Sequence, residues 1–227
     1  MVGRLSACIV FVLAIVHGRA WAMDLLAAND AWRRLDLPDK RPTEFAFDRA
    51  GGVVVQSDRS VAFLYRDIGN AVSSSKRILT WRWRIEQDFP PTDLTRPGGD
   101  DRPLAVHLWF SDGDHPSLFG RFGWLFGYPH ISHTVTYVFG GRQPTGSLFV
   151  NPFHENGAIF VLRGPGTSVG SWYTENRNID ADIARAFAAP PMIKTLKYIA
   201  ISADTDDTGA KSRARVGRLI LSVQGDG

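Results

Sequence analysis

The 227-residue sequence has a single cysteine, Cys8, inside an N-terminal apolar run. The rest of the chain can offer neither a disulfide nor a thiol nucleophile, so its stability has to come from a packed core. Long apolar runs are scarce as well. The run from Leu5 to Val16 is broken by His17, Gly18 and Arg19, well short of the ~20 residues a membrane-spanning helix needs. With Arg4 ahead of it and Ala20-Trp21-Ala22 behind, it reads as an export signal over residues 1–22, cleaved to leave Met23 first. A lipoprotein box is excluded because the run continues beyond Cys8. The expected product is a periplasmic or secreted protein with no transmembrane anchor after cleavage, its residues 23–227 forming one domain.

A surplus of one charge is missing too. The chain carries 26 Lys and Arg against 23 Asp and Glu, a net charge of +3. The expected leader takes Arg4 and Arg19 and no acid, so 24 basic residues face 23 acidic ones and the charge falls to +1. No Lys/Arg block is dense enough to neutralise a phosphate backbone, which argues against a nucleic-acid partner. Two catalytic patterns each lack a part. Gly166-Thr167-Ser168-Val169-Gly170 matches a nucleophile elbow, but no histidine follows Ser168 to serve as its base. No Glu-x-Asp-x-Glu segment sets two carboxylates on one strand, which leaves Glu155, Glu175, Asp112 and Asp114 as separate candidates.

What the sequence does have is alternation. In Ile78 to Glu86, Leu79, Trp81, Trp83 and Ile85 fall on one face and Thr80, Arg82, Arg84 and Glu86 on the other, the period of a half-buried strand. Further strands are expected at 53–57, 61–66, 104–110, 134–139, 158–163, 197–203 and 216–223. A short helix is expected from Asp180, its cap, to Phe187, and another between Asp24 and Leu35. Many short strands without βα alternation predict a mostly β, two-sheet, jelly-roll-like sandwich with one or two short helices. The Pro/Gly/Asp-rich span 89–103 reads as a long surface loop.

The C-terminal half runs Gly170-Ser171-Trp172, Glu175-Asn176-Arg177-Asn178, Asp180-Ala181-Asp182 and, later, Asp204-Thr205-Asp206-Asp207-Thr208-Gly209. With Thr80-Trp81-Arg82-Trp83 and Thr136-Tyr137-Val138-Phe139-Gly140 upstream, this string resembles an exported bacterial family known as domain of unknown function 3047. The resemblance implies export and a β-sandwich similar to carbohydrate-binding jelly rolls, and it supplies no reaction.

Three constellations remain. Asp204, Asp206 and Thr208 place oxygens at alternate positions before the sharp bend at Gly209, as in the first half of a Ca²⁺ loop, although Arg215 stands where an EF-hand needs glutamate. The expected cofactor, if there is one, is Ca²⁺. His130 and His133 have a spacing that suits a transition metal. On the strand 104–110, His107 and Trp109 point away from the apolar side; if that strand shares a sheet with 78–86, they join Arg82 and Arg84 in one surface. An indole for stacking beside guanidinium and imidazole donors suits a saccharide. The expected role is non-catalytic binding of a saccharide or cell-envelope glycan. The alternatives are a carbohydrate-active hydrolase using a carboxylate pair and an envelope-associated interaction module working through the aromatic loop 118–128.

Overall fold

The computed structural model of the chain describes residues 20–69, 76–111, 127–187 and 195–224. Among them run thirteen strands: β1 (Trp21–Asp24), β2 (Trp32–Asp36), β3 (Glu44–Phe47), β4 (Gly52–Asp58), β5 (Val61–Asp67), β6 (Lys76–Gln87), β7 (Arg102–Phe110), β8 (His133–Phe139), β9 (Leu148–Asn151), β10 (His154–Arg163), β11 (Tyr173–Asn178), β12 (Leu196–Asp204) and β13 (Lys211–Gln224). One α-helix, α1 (Ile179–Ala186), lies between β11 and β12.

The strands form two sheets. Sheet A runs β11-β6-β13-β4-β3, with β1 added to β13, and sheet B runs β2-β5-β12-β7-β8-β10-β9. All pairings are antiparallel except β8 with β10. The alternation of β6 decides its orientation: Leu79, Trp81, Trp83 and Ile85 are fully buried and meet Leu104, Val106, Leu108 and Phe110 of sheet B in one core. Rings fasten the two sheets. Trp81 lies 5.3 Å from Tyr137 and Trp83 packs edge-on to Phe139 at 5.6 Å, contacts worth about 0.5–1.5 kcal/mol each beyond the area they bury. The mostly β sandwich is thus observed as the alternation predicts.

Three expectations need correction. Residues 24–35 hold no α-helix; a single 3-10 turn at Asn29–Ala31 precedes the edge strand β2, whose backbone finds its partners on β5. The cap of α1 is Asn178, whose side chain accepts from the Ala181 amide at 3.1 Å, while Asp180 pairs with Arg77. The span before β7 is more than a surface loop. Its Leu94 is fully buried against Ala105, Val138, Ile159 and Val161, on the outer side of sheet B. Gly141, at φ +79°, makes that possible, since a Cβ there would come within 2.4 Å of Leu94 Cδ1. Covered from both sides, every residue of β7 and β8 is buried.

Among the described residues no helix is long and apolar enough to cross a membrane. The expected leader up to residue 19 and the aromatic loop over 118–126 lie outside the described residues.

Candidate functional site

Between the covering loop and β5 the outer side of sheet B leaves a cleft of about 430 Å³. Its floor comes from β7 and β8. Alternation turns His107 and Trp109 of β7 and Thr134 and Thr136 of β8 away from the core, and all four line the cleft. Phe63 of β5 forms one wall, and Phe153, 60 % exposed in the β9–β10 turn, forms part of the opposite lip. That turn is held by Asn151 Oδ1, which accepts from the Phe153 amide at 2.9 Å. Gly157 lets β10 approach β8 here: a Cβ would sit 2.6 Å from Thr134 Oγ1 and 2.8 Å from Asn151 Cβ.

His107 is fixed in the floor. Nδ1 lies 3.1 Å from Thr136 Oγ1 and Nε2 2.8 Å from Ser202 Oγ, and the ring packs edge-on to Phe63 at 5.2 Å. Burial, with Arg102's charge adding to it, holds its pKa well below the ordinary 6.5. A neutral imidazole donates from one nitrogen and accepts at the other, which the two hydroxyls can match.

The acidic end of the cleft draws on two neighbouring chain segments. Antiparallel register sets Asp204, the last residue of β12, beside Arg102, the first of β7, and brings the segment around Asp100 and Asp101 against the turn after β12. Arg102 reaches the Asp100 carboxylate at 3.1 Å and Asp204 Oδ2 at 3.5 Å. Lys40 pairs with Asp206. Asp101 accepts from the Thr208 amide at 2.8 Å and from its hydroxyl. Burial pushes the Asp204 carboxyl well above the usual range against the pull of Arg102, and it raises Asp100 in the same way. Asp206 is held low: burial would raise it, but its contact with Asp204 and the Lys40 ammonium outweigh that.

The oxygens of Asp101, Asp204 and Asp206 lie within 4.8 Å of one another, a set able to hold a cation. Asp204 and Asp206 thus belong together as the sequence spacing suggests. Thr208 does not supply the third oxygen of that set; it is exposed and donates to Asp101, which does. Asp101 is missed by sequence because it lies about a hundred residues upstream, and only the β7–β12 pairing joins it to the motif.

The expected four-residue surface does not form. β6 belongs to sheet A and β7 to sheet B, so Arg82 and Arg84 lie on the opposite outer side from His107 and Trp109. Trp109 is 1 % exposed, packed with Ile131 and Ala200 and edge-on to Phe63 at 5.3 Å. Among the described residues the exposed tryptophan is Trp172, 37 % accessible, stacked on Arg82 at 4.1 Å. Glu175, a candidate carboxylate, accepts from Trp83 Nε1 at 2.9 Å and from Arg163 Nε at 2.7 Å, a structural pair. His130 and His133 hydrogen-bond Ser111 and Ser132 respectively. Asp112 and Asp114 lie outside the described residues.

The sequence profile of a family described as "Protein of unknown function (DUF3047)" matches residues 30–220. No curated protein matches the sequence. Among solved structures, the chain is similar to the xyloglucanase domain of NopAA, a type three effector from Sinorhizobium fredii, at a TM-score of 0.49 and 9 % identity, covering 90 % of this chain and 97 % of that one. It is also similar to endoglucanase Cel12A from Rhodothermus marinus, at a TM-score of 0.48 and 12 % identity, covering 92 % and 98 %. A xylan-binding module, CBM15, aligns at a TM-score of 0.42 and 7 % identity, covering 92 % and 99 %. Likenesses this distant carry no argument about ligand or reaction.

Proposed function

The chain belongs to the DUF3047 family, and from that premise we propose that it binds a saccharide, without cleaving it, in the cleft on the outer side of sheet B. One observation carries the reading. Among the described residues eight buried side-chain atoms have no hydrogen-bond partner, and four of them, Asp100 Oδ1, Arg102 Nε, Thr134 Oγ1 and Asp204 Oδ1, belong to residues lining this single cleft. An orphaned buried polar atom costs about 1–3 kcal/mol, so such atoms persist where something else satisfies them. The orphans include carboxylate acceptors, a guanidinium donor and a hydroxyl that can do both. These atoms are closed to solvent, so a ligand meets them through a small turn of the side chain; an apolar one would leave them unmet, whereas a sugar's hydroxyls both donate and accept. Phe63 and Phe153 put aromatic rings at the wall and lip, where a sugar's C–H surface can pack.

The protein acts outside the cytoplasm in this proposal. Cleavage after Ala22 would remove Trp21 and Ala22, the first half of β1, and leave Met23 and Asp24 paired with Leu221 and Ile220, ahead of the buried Leu25, whose amide bonds the Leu219 carbonyl at 2.8 Å. Intact-mass analysis of a periplasmic fraction should give a chain starting at Met23; a chain retaining Cys8 would reject the leader.

A glycan array followed by affinity electrophoresis on the retained polysaccharides tests the binding. Wild type should be retarded on at least one. Phe153→Ala and Thr134→Val should each lose at least tenfold in affinity, with Phe153→Ala leaving the melting temperature unchanged because its ring is largely in solvent. Retention that neither substitution alters would place the ligand elsewhere. New reducing ends released from a retained polysaccharide would overturn the non-catalytic part alone.

A further inference from the structure

We infer that Asp101, Asp204 and Asp206 form a binding site for a divalent cation, Ca²⁺ by its all-oxygen donors, at the acidic end of the cleft. Three carboxylates from two separate segments converge to within 4.8 Å, which is the spacing of oxygens around one hard ion. Their convergence is built. Asp101 is fully buried and is oriented by the Thr208 amide at 2.8 Å, the Thr208 hydroxyl, and the Asp207 amide at 3.4 Å.

An independent observation points to a missing ligand. Asp204 is 8 % exposed, and while its Oδ2 faces Arg102 at 3.5 Å, its buried Oδ1 meets no N–H or hydroxyl donor, and the group beside it is another carboxyl, Asp206. A carboxylate oxygen shut away from water needs a partner more urgently than a neutral acceptor does. Charge gives the sign of that partner. Asp100, Asp204, Asp206 and Asp207 line this end of the cleft and Asp101 joins two of them, while among the described residues that line it the cations are Lys40 and Arg102. Five carboxyl groups outnumber the two cations, and a dication seated among them favours their ionised form. Lys40 is bound to Asp206 yet its side chain is 43 % exposed, so it can withdraw into solvent and acts as an internal competitor for the site.

The inference stands apart from saccharide binding, because the cation alone is the probe. Terbium, an oxygen-seeking stand-in for Ca²⁺, is titrated into the mature protein without glycan, with excitation of the protein's tryptophans; Trp109 lines the same cleft. Wild type should give saturable emission that Ca²⁺ displaces, and Ca²⁺ should raise the melting temperature above that in chelator, as for any ligand of the native state. Asp204→Asn should weaken terbium binding at least tenfold, and Lys40→Ala should tighten it severalfold. Should Asp204→Asn fail to fold, the Lys40→Ala result decides. Absence of saturable emission in both wild type and Lys40→Ala, or an affinity that Asp204→Asn leaves unchanged, would overturn the site. A protein that ignores terbium but is still retarded on a polysaccharide would lose the cation and keep the cleft.

Discussion

The two outer sides of this sandwich start from the same sequence rule and end as different surfaces. On sheet A the outward charges of β6 pair with one another, and one atom among them, Arg84 Nε, is left without a partner. Glu86 accepts from Arg84 at 2.5 Å, Arg213 at 2.8 Å and Arg215 at 2.6 Å, and Arg215 continues to Asp48 at 2.8 Å. On sheet B the outward residues of β7 and β8 are buried under a loop and around a cleft, and four polar atoms there have no partner. A charge ladder whose carboxylate is met by three arginines has a single unmet donor. A covered floor with four unmet donors and acceptors needs more from a ligand. That difference is why the proposed ligand surface is on sheet B, although sheet A carries the more conspicuous arginines.

The largest expected effect separates two tryptophans that both point outward. Trp109→Ala removes a ring packed against Ile131, Ala200 and Phe63 and should cost about 3–5 kcal/mol. Trp172→Ala removes a ring that is 37 % exposed on Arg82 and Arg84 and should cost at most about 1 kcal/mol. Urea denaturation of the two variants measures both. Equal losses would mean that the outer side of sheet B is no better packed than that of sheet A.

That contrast also marks how far the sequence could be read. β6 was legible because a strand buried on one side spells its orientation in alternating Leu, Trp and Arg. His107, Thr134 and Thr136 look like solvent-facing residues by the same alternation, and what buries them comes from elsewhere in the chain, Phe63 of β5 on His107 and the β9–β10 turn beside Thr134. Trp32 and Leu35, the buried positions of β2, are three apart, a spacing that a helix also gives, and its strand character comes from pairing with β5. The closeness of Asp204 and Asp206 is legible because they stand two residues apart in sequence. Asp101 and Phe153 are not legible, because the first reaches the site through strand pairing and the second is a lone aromatic whose only local signal is the Asn151-Pro152 turn before it.

The two sides should also titrate in different windows. Burial first, then Arg102, keeps the folded pKa of His107 well below 6.5. The unfolded chain therefore takes up a proton near 6.5 that the native state refuses, so this contribution to stability is full above that pH and is lost as pH falls below it. His154, lowered mainly by burial, adds in the same direction. His107→Gln should flatten, without abolishing, the loss of stability between pH 6.5 and 5, and should cost about 1–3 kcal/mol at neutral pH if either hydroxyl partner is left unmet. Denaturant midpoints against pH give both numbers. An identical acid limb in the variant would mean that His107 protonates freely and the floor is open to water.

On sheet A the window is lower. Burial, the largest single influence, would raise Glu86, but hydrogen bonds from Arg213, Arg215 and Arg84 outweigh it and hold its pKa at about 2 against an ordinary 4.5. Its stabilisation is present above 4.5 and is lost as pH falls from there toward about 2. Glu86→Gln should cost about 1 kcal/mol at neutral pH, since the network is partly solvated, and the cost should shrink as the acid window is crossed. A variant as stable as wild type at pH 7 would show that the three arginines need no counter-charge.

The smallest effect is the one that decides between the sides. Arg82 is exposed on β6 and is held by stacking on Trp172 at 4.1 Å. Removing it forfeits a cation–π contact of about 0.5–1 kcal/mol at a surface position, and the paired network around Glu86 remains. Because β6 lies in sheet A, the Arg82 guanidinium is on the far side of the core from the cleft and cannot reach a ligand bound on β7 and β8. Arg82→Ala should therefore lower the melting temperature slightly and leave polysaccharide retardation equal to wild type, in the same gels where Phe153→Ala loses it. The reverse pattern, with retardation lost in Arg82→Ala and kept in Phe153→Ala, would make Trp172 and its arginines the binding platform and leave the orphaned atoms of sheet B to some other partner.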